Sequence, residues 1–198
     1  MSGGIHVLAL DIGGSKIAAG IVGRNGEINN YVKWQLPAKY DSGFIVDSII
    51  ENTNLMRGNS SIAAAGASIP AVTDAKNGIW VYAPFSGVSD FPIAAILSQK
   101  FGFPVYIEND VNACAMGEMV FGMCKDTTDF LWVTISNGIG GGLVLNGKVY
   151  GGQGGCAGEI GHVTVEENGG LICGCKKPGC LEAEAAGFAI AKKFNAKH

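Results

Sequence analysis

Residues 5–22 read I-H-V-L-A-L-D-I-G-G-S-K-I-A-A-G-I-V. Ile5 to Leu10 and Lys16 to Val22 are apolar runs rich in β-branched residues, and they predict two strands joined by the tight turn Asp11-Ile12-Gly13-Gly14-Ser15. An acidic residue at the end of a buried strand, followed by two glycines and a hydroxyl, suits an anion site. Backbone N–H groups of Gly13, Gly14 and Ser15 would face phosphate, and Asp11 would hold a hydrated Mg2+. The same residues also suit a plain β-turn whose glycines take positive φ. No G-x-x-x-x-G-K-[ST] is present, so the turn is not a P-loop.

Asn25-Gly26 signals a hairpin into a third strand near Glu27 to Gln35. Phe44, Ile45, Ile49, Ile50 and, less regularly, Leu55 and Met56 recur at helical spacing. Ser61 to Ile69 reads as a buried strand, Pro92 to Phe101 as a helix and Val105 to Ile107 as a strand. The second half repeats the order: strand Phe130 to Ile135, glycine-rich turn Ser136 to Gly142, strand Leu143 to Leu145, hairpin signal Asn146-Gly147 and strand Lys148 to Tyr150. The pattern predicts an α/β protein of two related lobes, residues 1–110 and 111–198, with the helix Asp110 to Phe121 leading from one to the other. Two such turns facing across a cleft would hold one phosphate chain. After one helix from about Leu181 to Phe194 the second half stops where the first continues, so by this internal symmetry the second lobe is expected to be incomplete.

Composition narrows the function classes. Fourteen Lys+Arg against 17 Asp+Glu give a formal charge of −3, so no basic footprint for nucleic acid is present. Charged residues make 16% where about 25% is usual, which points to buried core and tight turns rather than disorder. Apolar runs fall short of the roughly 20 residues that span a bilayer, and Met1-Ser2-Gly3-Gly4 lacks the basic start of a signal peptide; a cytoplasmic protein without a membrane partner is expected.

Several residues carry chemistry. In Ser136-Asn137-Gly138-Ile139-Gly140-Gly141-Gly142, four glycines in five positions imply something packed against backbone: a phosphate chain, or a β-bulge or close helix. Glu108-Asn109-Asp110 lies at the carboxyl end of a strand, where α/β folds open their crevices. Capping would by itself explain Asp110, yet a carboxylate there could accept a hydroxyl proton. His162, Cys173, Cys175 and Cys180, with ten, one and four residues between them, form a Cys3His set suited to structural zinc, with free thiols as the alternative. Cys114, Cys124 and Cys156 read as small core residues, as do Trp34, Trp80 and Trp132. Glu159, His162 and Glu182 add two carboxylates and an imidazole near the knot, acceptors of the kind a sugar's many hydroxyls require. His6, His198 and Lys16 receive no role.

Together, D11-I-G-G-S-K16, I107-E-N-D-V-N-A-C-A-M-G-E118, G138-I-G-G-G142, G158-E-I-G-H162 and C173-G-C-K-K-P-G-C-L-E182 resemble the ROK family of bacterial sugar kinases and regulators, over nearly the whole chain. The resemblance implies an actin-like ATPase (ribonuclease H-like) fold with mixed sheets in two lobes. It implies ATP-dependent phosphorylation of a hexose, most often glucose at its 6-hydroxyl, with Asp110 as catalytic base. Asn109, Glu159, His162 and Glu182 would bind the sugar. ATP and Mg2+ would be held by Asp11, Gly13, Gly14 and Ser15 with Asn137, Gly138 and Gly140. Zn2+ would sit on His162, Cys173, Cys175 and Cys180, and a homodimer is implied. The chain departs from the family pattern at Ser136-Asn137, where Gly-Thr is usual, and at Ala71 and Lys176, where glycine is usual. The family also contains sugar-sensing repressors with a DNA-binding segment ahead of the first turn; ten residues precede Asp11 here, which favours the kinase.

Overall fold

In the computed structural model, residues 5–58, 60–83 and 86–195 are described; His198 and the start of the chain through Gly4 lie outside them. The chain divides into two compact units, Met1–Ala113 and Cys114–His198.

The first unit is built on a five-stranded sheet. Strands β1 (His6–Ile12), β2 (Lys16–Val22) and β3 (Ile28–Gln35) form an antiparallel meander. Helix α1 (Ser42–Arg57) then returns the chain so that β4 (Ile62–Ile69) pairs parallel to β1. A small antiparallel meander follows, β5 (Val72–Asp74), β6 (Ile79–Tyr82) and β7 (Ser89–Phe91), which the residue pattern did not reveal because its strands have only three or four residues. Helix α2 (Ile93–Phe101) leads to β8 (Val105–Asn109), parallel to β4, and α3 (Asp110–Phe121) begins directly after it. The sheet order is β3-β2-β1-β4-β8.

Local chemistry sets the ends of these elements. Asp41 caps α1, its carboxylate accepting the Phe44 N–H at 2.8 Å, and Gly58 closes it at φ 49°. Gly102, at φ 78°, ends α2 with its N–H on the Ser98 carbonyl, and the Ser98 hydroxyl accepts the Val105 N–H at 2.9 Å, so the same turn starts β8. Period-2 alternation places Leu8, Leu10 and Ile12 of β1 in one core with Ile45 and Ile49 of α1, Leu97 of α2 and Trp80 of β6. Trp80 is fully buried, whereas Trp34 and Trp132 are only half-buried.

The strands run further than composition suggested. Pairing of Asp11 with Ala18 and of Ile12 with Ile17 extends β1 to Ile12, leaving only Gly13-Gly14-Ser15 as the turn. Likewise β8 takes in Glu108 and Asn109.

The second unit contains the rest of α3 and the antiparallel sheet β9 (Phe130–Ile135), β10 (Ile139–Leu145) and β11 (Lys148–Val149) in the order β11-β10-β9. Asn146 (φ 51°) and Gly147 (φ 68°) make the two-residue hairpin turn that Asn-Gly announced. Gly140, Gly141 and Gly142 lie inside β10, paired with Thr134, Val133 and Trp132, so the turn before it contains only Ser136, Asn137 and Gly138. A 3-10 turn carries Ile160–His162, and the chain ends in two helices, α4 (Leu181–Ala185) and α5 (Gly187–Asn195), rather than one. They part because Ala186 is extended (ψ 163°) and the Gly187 N–H donates to the Ser136 carbonyl at 2.8 Å. The small-core reading of three cysteines is corrected: Cys114 and Cys156 are exposed and Cys124 is half-buried. Cys114 lies in a helix whose other exposed residues include Met116, Val120 and Phe121, so apolar composition there does not mark an inward face.

Leu8 lies on a central strand with no exposed surface. Leu8→Ala is expected to destabilise the first unit by about 2–5 kcal/mol, measured by denaturant unfolding.

Candidate functional site

The parallel pairing of β1, β4 and β8 brings their carboxyl ends to one edge in register: Asp11 opposite Ser68, and Ser68 opposite Glu108. The Ser68 hydroxyl donates to Asp11 Oδ1 at 2.9 Å and so fixes that carboxylate. Ser68 drew no notice in the sequence, since only the register shows that it stands beside Asp11.

At the start of α3 the capping acceptor is Asn109, whose Oδ1 takes the N–H groups of Val111 (3.0 Å) and Asn112 (3.2 Å). Its amide donates to the Ala71 carbonyl at 3.2 Å, tying the loop after β4 to the helix start. Asp110 is therefore the first helical residue and not the cap, and its Oδ1 accepts from the Val111 N–H at 2.9 Å. Glu108 folds back, accepting from its neighbour's N–H and from the buried Asn112 amide. Burial first, and then the charge of Asp11, raises the Asp110 carboxyl above the ordinary carboxylate range, against the opposing pull of the Val111 N–H. A carboxylate made more basic in this way is better matched to accept a proton near neutral pH.

In the turn after β1, the Gly13 N–H is spent on the Lys16 carbonyl at 2.9 Å, so Gly13 offers no donor to an anion. The N–H groups of Gly14 and Ser15 have no hydrogen-bond partner among the described residues.

In the second unit Gly141 of β10 is explained by close backbone contact. The Gly141 N–H donates to the Gly158 carbonyl at 2.8 Å, and a Cβ on Gly141 would stand 2.9 Å from that oxygen. A Cβ on Gly161 would collide with the Ile139 carbonyl. Gly141 thus packs against the protein's own 158–161 turn. Gly140 lies within the paired strand, while Asn137 and Gly138 remain in the turn. Glu182 grips that turn, its Oε2 accepting the Ile139 N–H at 3.0 Å, and a Cβ on Gly138 would stand 2.5 Å from the same oxygen.

His162, Cys173, Cys175 and Cys180 converge, their ligand atoms all within 4.8 Å of one another. His162 Nδ1 lies 3.5 Å from Cys173 Sγ, and Cys175 Sγ lies 3.6 Å from Cys180 Sγ. A tetrahedral ion with Zn–S bonds of about 2.3 Å separates its ligand atoms by about 3.7 Å, so the set fits such an ion. Burial and the neighbouring thiols push Cys180 up to about 11, and burial also raises Cys173. Packed thiols of this kind become thiolates when a cation shares their space. With Nδ1 facing the thiols, Nε2 of His162 faces Glu159 Oε2 at 3.7 Å, so each ring nitrogen has a separate task. Glu184, which drew no notice in the sequence, also organises the knot, accepting the Leu171 N–H at 2.6 Å and pairing with Lys193.

Residues 7–198 match the ROK family, and the chain belongs to it. It is 34% identical over 192 residues to a glucokinase of Halalkalibacterium halodurans, covering 93% of this chain and 58% of the relative. It is also 34% identical over 185 residues to an N-acetylmannosamine kinase of Shigella flexneri, covering 93% and 62%. Among solved structures, a ROK family glucokinase from Streptomyces griseus in complex with glucose and AMPPNP superposes with TM-score 0.82 at 34% identity, over 94% of this chain and 59% of that one. A ROK family transcriptional regulator, homologous to the E. coli MLC protein, superposes with TM-score 0.90 at 25% identity, over 98% and 50%. The chain therefore spans about 60% of the length of these kinases. The fold is the actin-like ATPase fold of these neighbours. No described helix is long and apolar enough to cross a membrane.

Lys176 occupies a left-handed position, φ 71°, inside the cysteine knot. Lys176→Gly removes a strained Cβ and is expected to stabilise the second unit by about 0.5–1 kcal/mol, read as a rise in melting temperature.

Proposed function

We propose that this protein is an ATP-dependent sugar kinase acting on a hexose, glucose before others, and yielding the 6-phosphate. The observation that carries the reading is Asp110, a half-buried carboxylate of raised basicity at the carboxyl edge of the parallel strands. Membership in a family that contains glucokinases supports it.

In this reading Asp110 accepts the proton of the sugar's 6-hydroxyl as that oxygen attacks the γ-phosphorus of ATP. The bond to the bridging oxygen breaks and ADP leaves. Asn109, held by its bonds to Ala71 and α3, presents its remaining amide hydrogen to the sugar. Glu159, His162 through Nε2, and the lone pairs of Glu182 not taken by Ile139 receive sugar hydroxyls. The turns at Gly14-Ser15 and at Asn137-Gly138 bind phosphate oxygens. Asp11, oriented by Ser68, would hold Mg2+, which supplies charge neutralisation at the phosphates. Zn2+ on His162, Cys173, Cys175 and Cys180 would fix the imidazole and the start of α4. A cytoplasmic homodimer accords with the family resemblance. The likeness to a regulator supports a second reading, sugar sensing without phosphotransfer.

A hexose panel in an ATP-coupled assay on the full-length gene product separates the two: sugar-dependent ADP release supports the kinase, and sugar binding without turnover supports the sensor. Asp110→Asn is expected to lower kcat by about 10²- to 10⁴-fold while leaving sugar affinity nearly unchanged. The same variant should melt at a higher temperature at neutral pH. Because the folded-state carboxyl is raised above its unfolded value, its favourable contribution exists only at acid pH and is lost as pH rises through the folded value; the ionised side chain then costs stability that the amide spares. Elemental analysis should find about one zinc ion per chain, lost in Cys175→Ser.

A further inference from the structure

The turn at residues 13–15 has a partition of donors and acceptors that its own sequence does not explain. Its last two carbonyls are both taken by protein donors from beyond β3. The Tyr40 hydroxyl donates to the Gly14 carbonyl at 2.7 Å, and the Leu36 N–H donates to the Ser15 carbonyl at 2.8 Å. The N–H groups of Gly14 and Ser15, by contrast, have no partner among the described residues, and both residues are exposed.

The carbonyl of Gly14 and the N–H of Ser15 belong to one planar trans peptide, so they point in opposite directions. That plane lies between Gly14 and Ser15, so its rotation turns ψ of Gly14, which no Cβ hinders, together with φ of Ser15. Left to itself the peptide would sample orientations that put a carbonyl oxygen where an anion should sit. We infer that Tyr40 is a positioning residue for this turn: its hydroxyl pins the Gly14 carbonyl and thereby holds the Ser15 N–H open toward a polyphosphate chain. Tyr40 is half-buried with its ring packed against the core of the first unit, so the hydroxyl is delivered from a fixed base. Burial raises its phenol above the ordinary value, which keeps it a donor at physiological pH. Tyr40 does not touch the reacting atoms; it acts through the backbone.

The inference rests on the reading of this turn as a phosphate site, and the test separates the two. Tyr40→Phe retains the packed ring and removes only the hydroxyl, with circular dichroism and the melting temperature as checks on folding. KM for Mg·ATP is expected to rise about five- to tenfold, with kcat and the KM for the sugar within twofold of the parent. The Kd for inorganic tripolyphosphate with Mg2+, measured calorimetrically, should rise by a similar factor. An unchanged KM for ATP and Kd for tripolyphosphate in the variant would overturn the inference and leave the kinase reading standing. A parallel loss in every parameter would also overturn it, since it marks a merely structural role. Tripolyphosphate binding that weakens in Tyr40→Phe, in a protein showing no sugar-dependent turnover, would uphold the inference and refute the kinase reading. A parent protein that binds no tripolyphosphate would overturn the inference.

Discussion

Parallel pairing of β4 between β1 and β8 is the contact on which the chemistry of the first unit depends. Three strands distant in sequence end at one edge, and the register decides which residues meet there. Asp11, Ser68 and Glu108 fall in line, and the next residues of β8 and α3 are Asn109 and Asp110. A one-residue slip of a strand would turn its side chains to the opposite face, so the buried alternation of Leu8, Leu10 and Ile12 protects the site as well as the core. The price of gathering acidic groups is visible in Asp110, whose carboxyl is raised by burial and by Asp11.

Around this edge, polar side chains divide their bonding capacity between structure and function. Asn109 uses its oxygen to cap α3 and one amide hydrogen to fasten the loop at Ala71, which places the residues before and after Asp110 without involving Asp110 itself. Asn112 and Glu108 complete the local network in a half-buried environment where an unpaired polar atom would be costly.

The second unit solves a different problem, bringing backbone against backbone. Gly141 and Gly158 share a hydrogen bond at a separation that leaves no room for a methyl group, and Gly161 lies too close to the Ile139 carbonyl to carry one either. Because His162 follows Gly161 and Glu182 follows the Cys180 segment, the cysteine knot and the turn at residues 136–138 form one connected structure. Glu182 is the direct link, through the Ile139 N–H.

Much of this was legible in residue order. The meander of β1 to β3, the helix α1, the Asn146-Gly147 hairpin and the four-residue Cys/His cluster all rest on short-range rules: alternation, helical spacing, turn chemistry and ligand type. Where those rules failed, a longer-range contact was responsible. Gly140 to Gly142 looked like turn because glycine disfavours strands, yet pairing with β9 sets them inside β10, and Gly158 closely approaches Gly141. Asp110 looked like a cap until Asn109 proved nearer to the open N–H groups. Ser68 and Tyr40 carried no signal, since their partners lie 57 and 26 residues away in the chain. By itself the sequence determined which chemical groups were available and the class of fold that displays them. Only the tertiary structure decided which atoms of those groups remain open to a ligand, because hydrogen-bonding capacity is consumed by neighbours that the fold alone brings together.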